Sequence, residues 1–164
     1  MTDTSFVVPT SKADRVAKPL AEDPTAVPGF DGGGGAYSTA ADYLRFAEML
    51  RRGGSFEGVR ILGRKTVEYM TSDQLGPEVD IDVLRNWPNL NGYGFGLSVA
   101  VRRGPGVAGI MGSTGDFNWG GAGGTYFWVD PKEELTAVLM ARAGPARYHL
   151  RQLISILVYA SLVN

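Results

Sequence analysis

The chain has 164 residues, of which 44% are hydrophobic, 20% charged and 10% aromatic, the balance of a globular domain and not of a disordered segment. Sixteen Lys and Arg against 17 Asp and Glu leave a formal charge of −1, which gives no electrostatic case for nucleic acid or an anionic membrane. The absence of cysteine and the single histidine exclude disulfides, thiol nucleophiles, zinc–thiolate sites and paired-histidine chemistry. No stretch reaches the roughly 18 apolar residues that span a bilayer, and the N-terminus has no basic stretch ahead of an apolar run, so it does not read as a signal peptide. The compartment stays open.

Residues 1–30 mix polar residues with four prolines and predict an extended connection, with one short strand at Phe6 to Val8. The run Gly32 to Gly35 reads either as a flexible linker or as a tight, placed turn. A helix is expected over 40–52: Thr39 and Asp42 have capping-box spacing, Ala40, Tyr43, Leu44, Ala47 and Leu50 recur at helical spacing, and Gly53 and Gly54 stop it. A shorter helix follows from Arg64 to about Ser72, then a loop containing Pro77 and Pro88.

From Tyr93 the period becomes two. Tyr93, Phe95, Leu97, Val99 and Val101 predict one strand, bare on its other face. A second strand is expected from about Gly123 to Val129, turning through Asp130-Pro131-Lys132-Glu133 into a third at Leu135 to Arg142. Pro145 opens a last helix with Leu150, Leu153, Ile154, Leu157, Val158 and Ser161 at helical spacing. Tyr126 and Trp128 alternate with Phe127 and Val129, so the sheet is apolar on both faces and expects cover on both. The last helix can cover one face. The helix at 40–52 is expected to be too small for the rest, which predicts a partner outside the chain.

Nucleophile motifs are missing. No lysine has serine three residues before it, G-x-S-x-G is absent, and there is no P-loop or H-E-x-x-H. His149 is the only imidazole, and Asp116 and Asp130 read as turn residues. The stretch least explained by folding alone is Gly112 to Tyr126. Its glycines at the start of a strand mark either a bulge or a place where a ligand or another backbone lies close.

Several segments in order resemble the serine β-lactamase and penicillin-binding-protein-like superfamily, in its class C β-lactamase and esterase branch. GGGGAYSTAADYLRFAEMLRRGG (32–54) is similar to that branch's Gly-rich turn and helix, RILGRKTVEYMTSDQL (60–75) to its next helix and GYGFGLSVAVRR (92–103) to the strand after it. WGGAGGTYFWVDPKEELTAVLMARA (119–143) resembles its active-site edge strand and hairpin. The resemblance implies an α/β (α+β) fold of antiparallel strands with a C-terminal helix on one face. It also implies that residues 1–164 are the C-terminal portion of a β-lactamase-like domain. The family's Ser-x-x-Lys and Tyr-x-Asn belong to the N-terminal portion and are absent here, so the chain alone is expected to be inactive.

By the same resemblance, Trp119-Gly120-Gly121 stands where the family has Lys-Thr-Gly and would line the substrate, and Ala122 would give the oxyanion-hole backbone N–H. Without the lysine that steadies a β-lactam carboxylate, the implied activity is that of a carboxylesterase working through an acyl-enzyme. A β-lactamase is the further alternative. No cofactor or metal is implied. Two other readings stay open: a non-catalytic module that self-associates or binds a partner through the uncovered sheet, and a self-sufficient hydrolase using Ser113 and His149.

Overall fold

The computed structural model describes residues 38–76, 79, 90–106 and 108–163. The readings for residues 1–30, for Gly32 to Gly35 and for most of the loop around Pro77 and Pro88 lie outside them. Everything below concerns the unit spanning Ala40–Asn164.

Helix α1 (Ala40–Arg51) forms as its periodicity predicts and buries Ala47, Met49 and Leu50. The Gly53 and Gly54 amides return to the carbonyls of Leu50 and Met49 at 3.0 and 2.9 Å. Gly54 holds φ at +98° with the Leu62 carbonyl against its Cα, a place with no room for a side chain. The small hairpin that follows, β1 (Ser55–Phe56) and β2 (Val59–Arg60), was not expected from sequence. Helix α2 (Arg64–Met70) then adds Val67 to the core. Beyond α2, Asp73 ties the chain to the sheet by accepting from the Phe95 amide at 3.1 Å and from Arg103 Nε at 2.8 Å.

Five antiparallel strands lie in chain order: β3 (Tyr93–Phe95), β4 (Ala100–Arg102), β5 (Phe117–Gly120), β6 (Tyr126–Asp130) and β7 (Leu135–Leu139). The single strand expected from Tyr93 to Val101 is therefore a hairpin, with Phe95 opposite Ala100. The alternation of large and bare residues hid the reversal. Ser98 turns at φ +70°, and Gly96 lies hard against the Met70 carbonyl. The strand expected from Gly123 is also displaced: β6 begins at Tyr126, and the glycines before it form the turn from β5, a strand that periodicity did not show and only the resemblance placed near Trp119.

One sheet face carries Val101, Phe117, Phe127 and Val129, packed with Val99, Val67 and the buried residues of α1. Tyr43 of α1 lies 5.2 Å from the Phe127 ring. Phe127 is 6% exposed and Val129 fully buried, so α1 does cover this face, contrary to the expectation that it is too small. Glu48 locks it there by accepting from Arg51, Arg52 and the Thr136 hydroxyl of β7.

The other face meets α3 (Arg147–Ala160), entered through a 3-10 turn at Gly144–Ala146. Its buried residues are Arg151 and Ser155, while Leu153, Ile156 and Leu157 are exposed. The apolar stripe seen in the sequence is not the one that meets the sheet. The reason is the sheet's own surface, which offers polar groups there. Tyr159 Oη donates to Asp130 Oδ2 at 2.9 Å. Arg102, buried with Asp116, donates to that carboxylate and to the carbonyls of Ile110 and Met111. Buried polar groups require such partners.

Candidate active site

The β5–β6 connection is the centre of the site. β4 registers with β5 only at Phe117 and Asn118, whereas β6 registers with all four residues of β5. The strand expected at an edge is thus the middle one of five, because the β3–β4 hairpin pairs with its first half. Past Asn118 the β4 side opens, and the Trp119 ring meets Phe95 edge-on at 5.0 Å. A cleft forms there between Leu90, Asn118, Trp119, Gly120 and, from the other side, Tyr126, Tyr148 and Arg151.

Gly121 to Thr125 make a tight turn. The Gly121 amide donates to the Thr125 carbonyl at 3.0 Å and the Gly124 amide to the Gly121 carbonyl at 3.1 Å, while Ala143 donates to the Gly123 carbonyl at 2.9 Å. Ala122 is exposed in the second position of this turn. Its N–H donates no hydrogen bond among the described residues. Trp119 and Gly120, in β5, line the cleft, whereas Gly121 and Ala122, in the turn that follows, are not among its lining residues.

Arg151, which lines the cleft opposite β5, holds this turn, and sequence reasoning missed it. Its Nη2 donates to both the Gly121 and the Thr125 carbonyls, the latter at 2.7 Å. The guanidinium lies 5.5 Å from the Tyr126 ring centroid and 5.8 Å from that of Tyr148. A Cβ on Gly120 would overlap it, which gives the bare residue at 120 a packing reason. Burial pushes the guanidinium below its ordinary pKa and lifts the Tyr126 phenol well above its own. A signal existed: Tyr148, Arg151, Ser155 and Tyr159 recur at helical spacing as a polar stripe opposite the apolar one.

The Ser113 and His149 pairing does not form. The Ser113 amide donates to Asp130 Oδ2 at 3.1 Å and its hydroxyl approaches Glu133 at 3.5 Å, while His149 is exposed on the first turn of α3. Asp130 is the turn residue it was expected to be, its Oδ1 accepting from the amides of Lys132 and Glu133. Asp116 also closes a turn, its amide donating to the Ser113 carbonyl, but its carboxylate belongs to the buried pair with Arg102. Among the described residues no group of three or more His, Asp or Glu could hold a metal ion, and no helix is long and apolar enough to cross a membrane.

Comparison with known proteins gives this geometry a context. Protein Rv1367c of Mycobacterium tuberculosis (strain ATCC 25618 / H37Rv) is 33% identical over 162 residues, covering 88% of this chain and 40% of the relative. Among solved structures, EstCE1, a hydrolase with promiscuous acyltransferase activity, superposes with a TM-score of 0.65 at 27% identity. That match covers 84% of this chain and 33% of EstCE1. The simvastatin synthase LovD of Aspergillus terreus, unliganded, shares the fold, with a TM-score of 0.64 at 18% identity over 80% of this chain and 36% of LovD. The chain thus spans about two fifths of the curated relative. The family model described as Beta-lactamase matches residues 1–160, and with it the sequence resemblance becomes a finding: this chain belongs to the Beta-lactamase family, as the C-terminal portion of a serine β-lactamase-like protein.

Proposed function

We propose that the chain supplies the oxyanion side of a serine carboxylesterase that works through an acyl-enzyme, and that it is inactive until a serine-bearing portion completes it. The observation that carries this reading is Ala122, exposed in a hydrogen-bonded turn with its N–H engaged by no hydrogen bond among the described residues, two residues after the Gly120 that lines the cleft. A donor held ready where charge develops is what acyl transfer needs. Trp119, Gly120 and Gly121 would lie along the acyl group. An uncharged ester fits better than a β-lactam because Trp119 stands where the family's lysine would meet a carboxylate.

The test joins residues 1–160 to the portion of EstCE1 outside the matched third and compares that protein with the chain alone. The joined protein is expected to form one stoichiometric serine adduct with a fluorophosphonate and to turn over a short-chain aryl ester, and the chain alone to do neither. Turnover of a chromogenic β-lactam in preference to the ester would sink the esterase assignment. Ala122→Pro removes the N–H at a turn position that suits proline. It should lower kcat by about 10²–10³-fold, the usual effect of deleting one oxyanion donor.

A further inference from the structure

The peptide bond between Gly121 and Ala122 is one planar unit, with the Gly121 carbonyl at one end and the Ala122 N–H at the other. Arg151 donates to that carbonyl and, through the same nitrogen, to the Thr125 carbonyl across the turn. We infer that Arg151 is a positioning residue of the acyl-transfer site: by gripping the Gly121 carbonyl it aims and polarises the peptide whose other end is the Ala122 donor. The inference rests on the oxyanion role proposed for Ala122.

Three observations carry it. First, the geometry leaves the plane little freedom, since the Gly121 carbonyl accepts from both the Gly124 amide and the guanidinium, and the adjoining Gly121 amide is held by the Thr125 carbonyl. Gly120 is bare where a Cβ would overlap the guanidinium. Second, a hydrogen bond to an amide carbonyl strengthens that amide's N–H as a donor, because the two ends share one polarisable system. A charged donor does this more than a neutral one.

Third, Arg151 is 6% exposed, and its partners are carbonyl oxygens and aromatic faces, with no carboxylate in an ion pair with it among the described residues. A buried cation without a counter-ion is costly to a resting protein. Behind an oxyanion donor it has a use, because its field favours negative charge developing on the far side of the peptide. A purely structural arginine would more simply be paired with an acid.

In the protein joined to the EstCE1 portion, Arg151→Met should lower kcat by about 10–100-fold, the range found when a group that orients a functional ligand is removed. KM should not change, and Arg151→Lys should recover part of the loss, since an ammonium can still reach one carbonyl. In an Ala122→Pro background, Arg151→Met should cost almost nothing further, because the donor it acts through is gone. Equal losses in both backgrounds, or a loss confined to KM, would overturn the role of Arg151 while leaving the oxyanion reading intact. An Ala122→Pro protein with full kcat would instead overturn the oxyanion reading itself. A second readout needs no turnover: in the 164-residue chain the Ala122 amide nitrogen resonance should move in Arg151→Met and return part-way in Arg151→Lys. An unmoved resonance in folded Arg151→Met would refute the polarisation directly.

Discussion

Gly120→Ala separates local preference from tertiary packing, because the two predict opposite signs. In a strand, exchanging glycine for alanine should stabilise by about 0.4–1 kcal/mol, by restricting the unfolded chain. In this fold the added methyl would occupy the place of the Arg151 guanidinium. That group is the end of a long side chain, yet it is not free to yield, being held by two carbonyls and flanked by two tyrosine rings. Displacing it gives up two charge-assisted hydrogen bonds, each about 1.5–3 kcal/mol. Part of this is regained as the guanidinium meets water and as the unfolded chain loses freedom. The expected net loss is about 2–4 kcal/mol. With an m-value of about 2 kcal/mol/M in urea, the middle of the range for small proteins, the midpoint should fall by about 1–2 M. Equilibrium urea unfolding of the 164-residue chain, followed by tryptophan fluorescence, measures it. In an Arg151→Met background the same substitution should be nearly neutral. A Gly120→Ala chain as stable as the parent, or more so, would refute the close approach of Arg151 to β5.

Two further outcomes follow from other parts of the fold. Glu48 is held at a pKa of about 2, below its ordinary 4.5, chiefly by the hydrogen bonds from Arg51, with Arg52 and Thr136 adding to them. Its contribution is therefore complete above about pH 4.5 and is lost as the pH falls towards 2; with allowance for solvent at this rim it amounts to about 1–2 kcal/mol. Glu48→Gln should flatten stability over that range, and an unchanged acid limb in pH-dependent unfolding would contradict the assignment. The outer side of β7 and the exposed Leu153, Ile156 and Leu157, at 43%, 41% and 56% exposure, favour self-association of the isolated chain. Sedimentation velocity should show a concentration-dependent oligomer, and a monomer at every concentration would argue against it.

Much of the architecture was legible because it is set by local rules. The helix at 40–51 follows from periodicity and from two glycines that must end it, and the β6–β7 hairpin follows from alternation on either side of an Asp-Pro turn. The segments of the family resemblance, in order, pointed to the fold and to the Trp119–Ala122 stretch. What the sequence left undecided is non-local. Whether Gly96 continues a strand or backs a reversal depends on the Met70 carbonyl it meets. Whether the glycines after Trp119 begin a strand or join two of them depends on which strand pairs with β5. The stripe that α3 buries depends on the polar groups the sheet presents to it, and nothing in the helix alone ranks Arg151 and Ser155 above Leu153 and Leu157. Local sequence fixes which conformations the backbone prefers; tertiary structure decides which side chains lose water together, and so brings a buried cation behind the Gly121–Ala122 peptide.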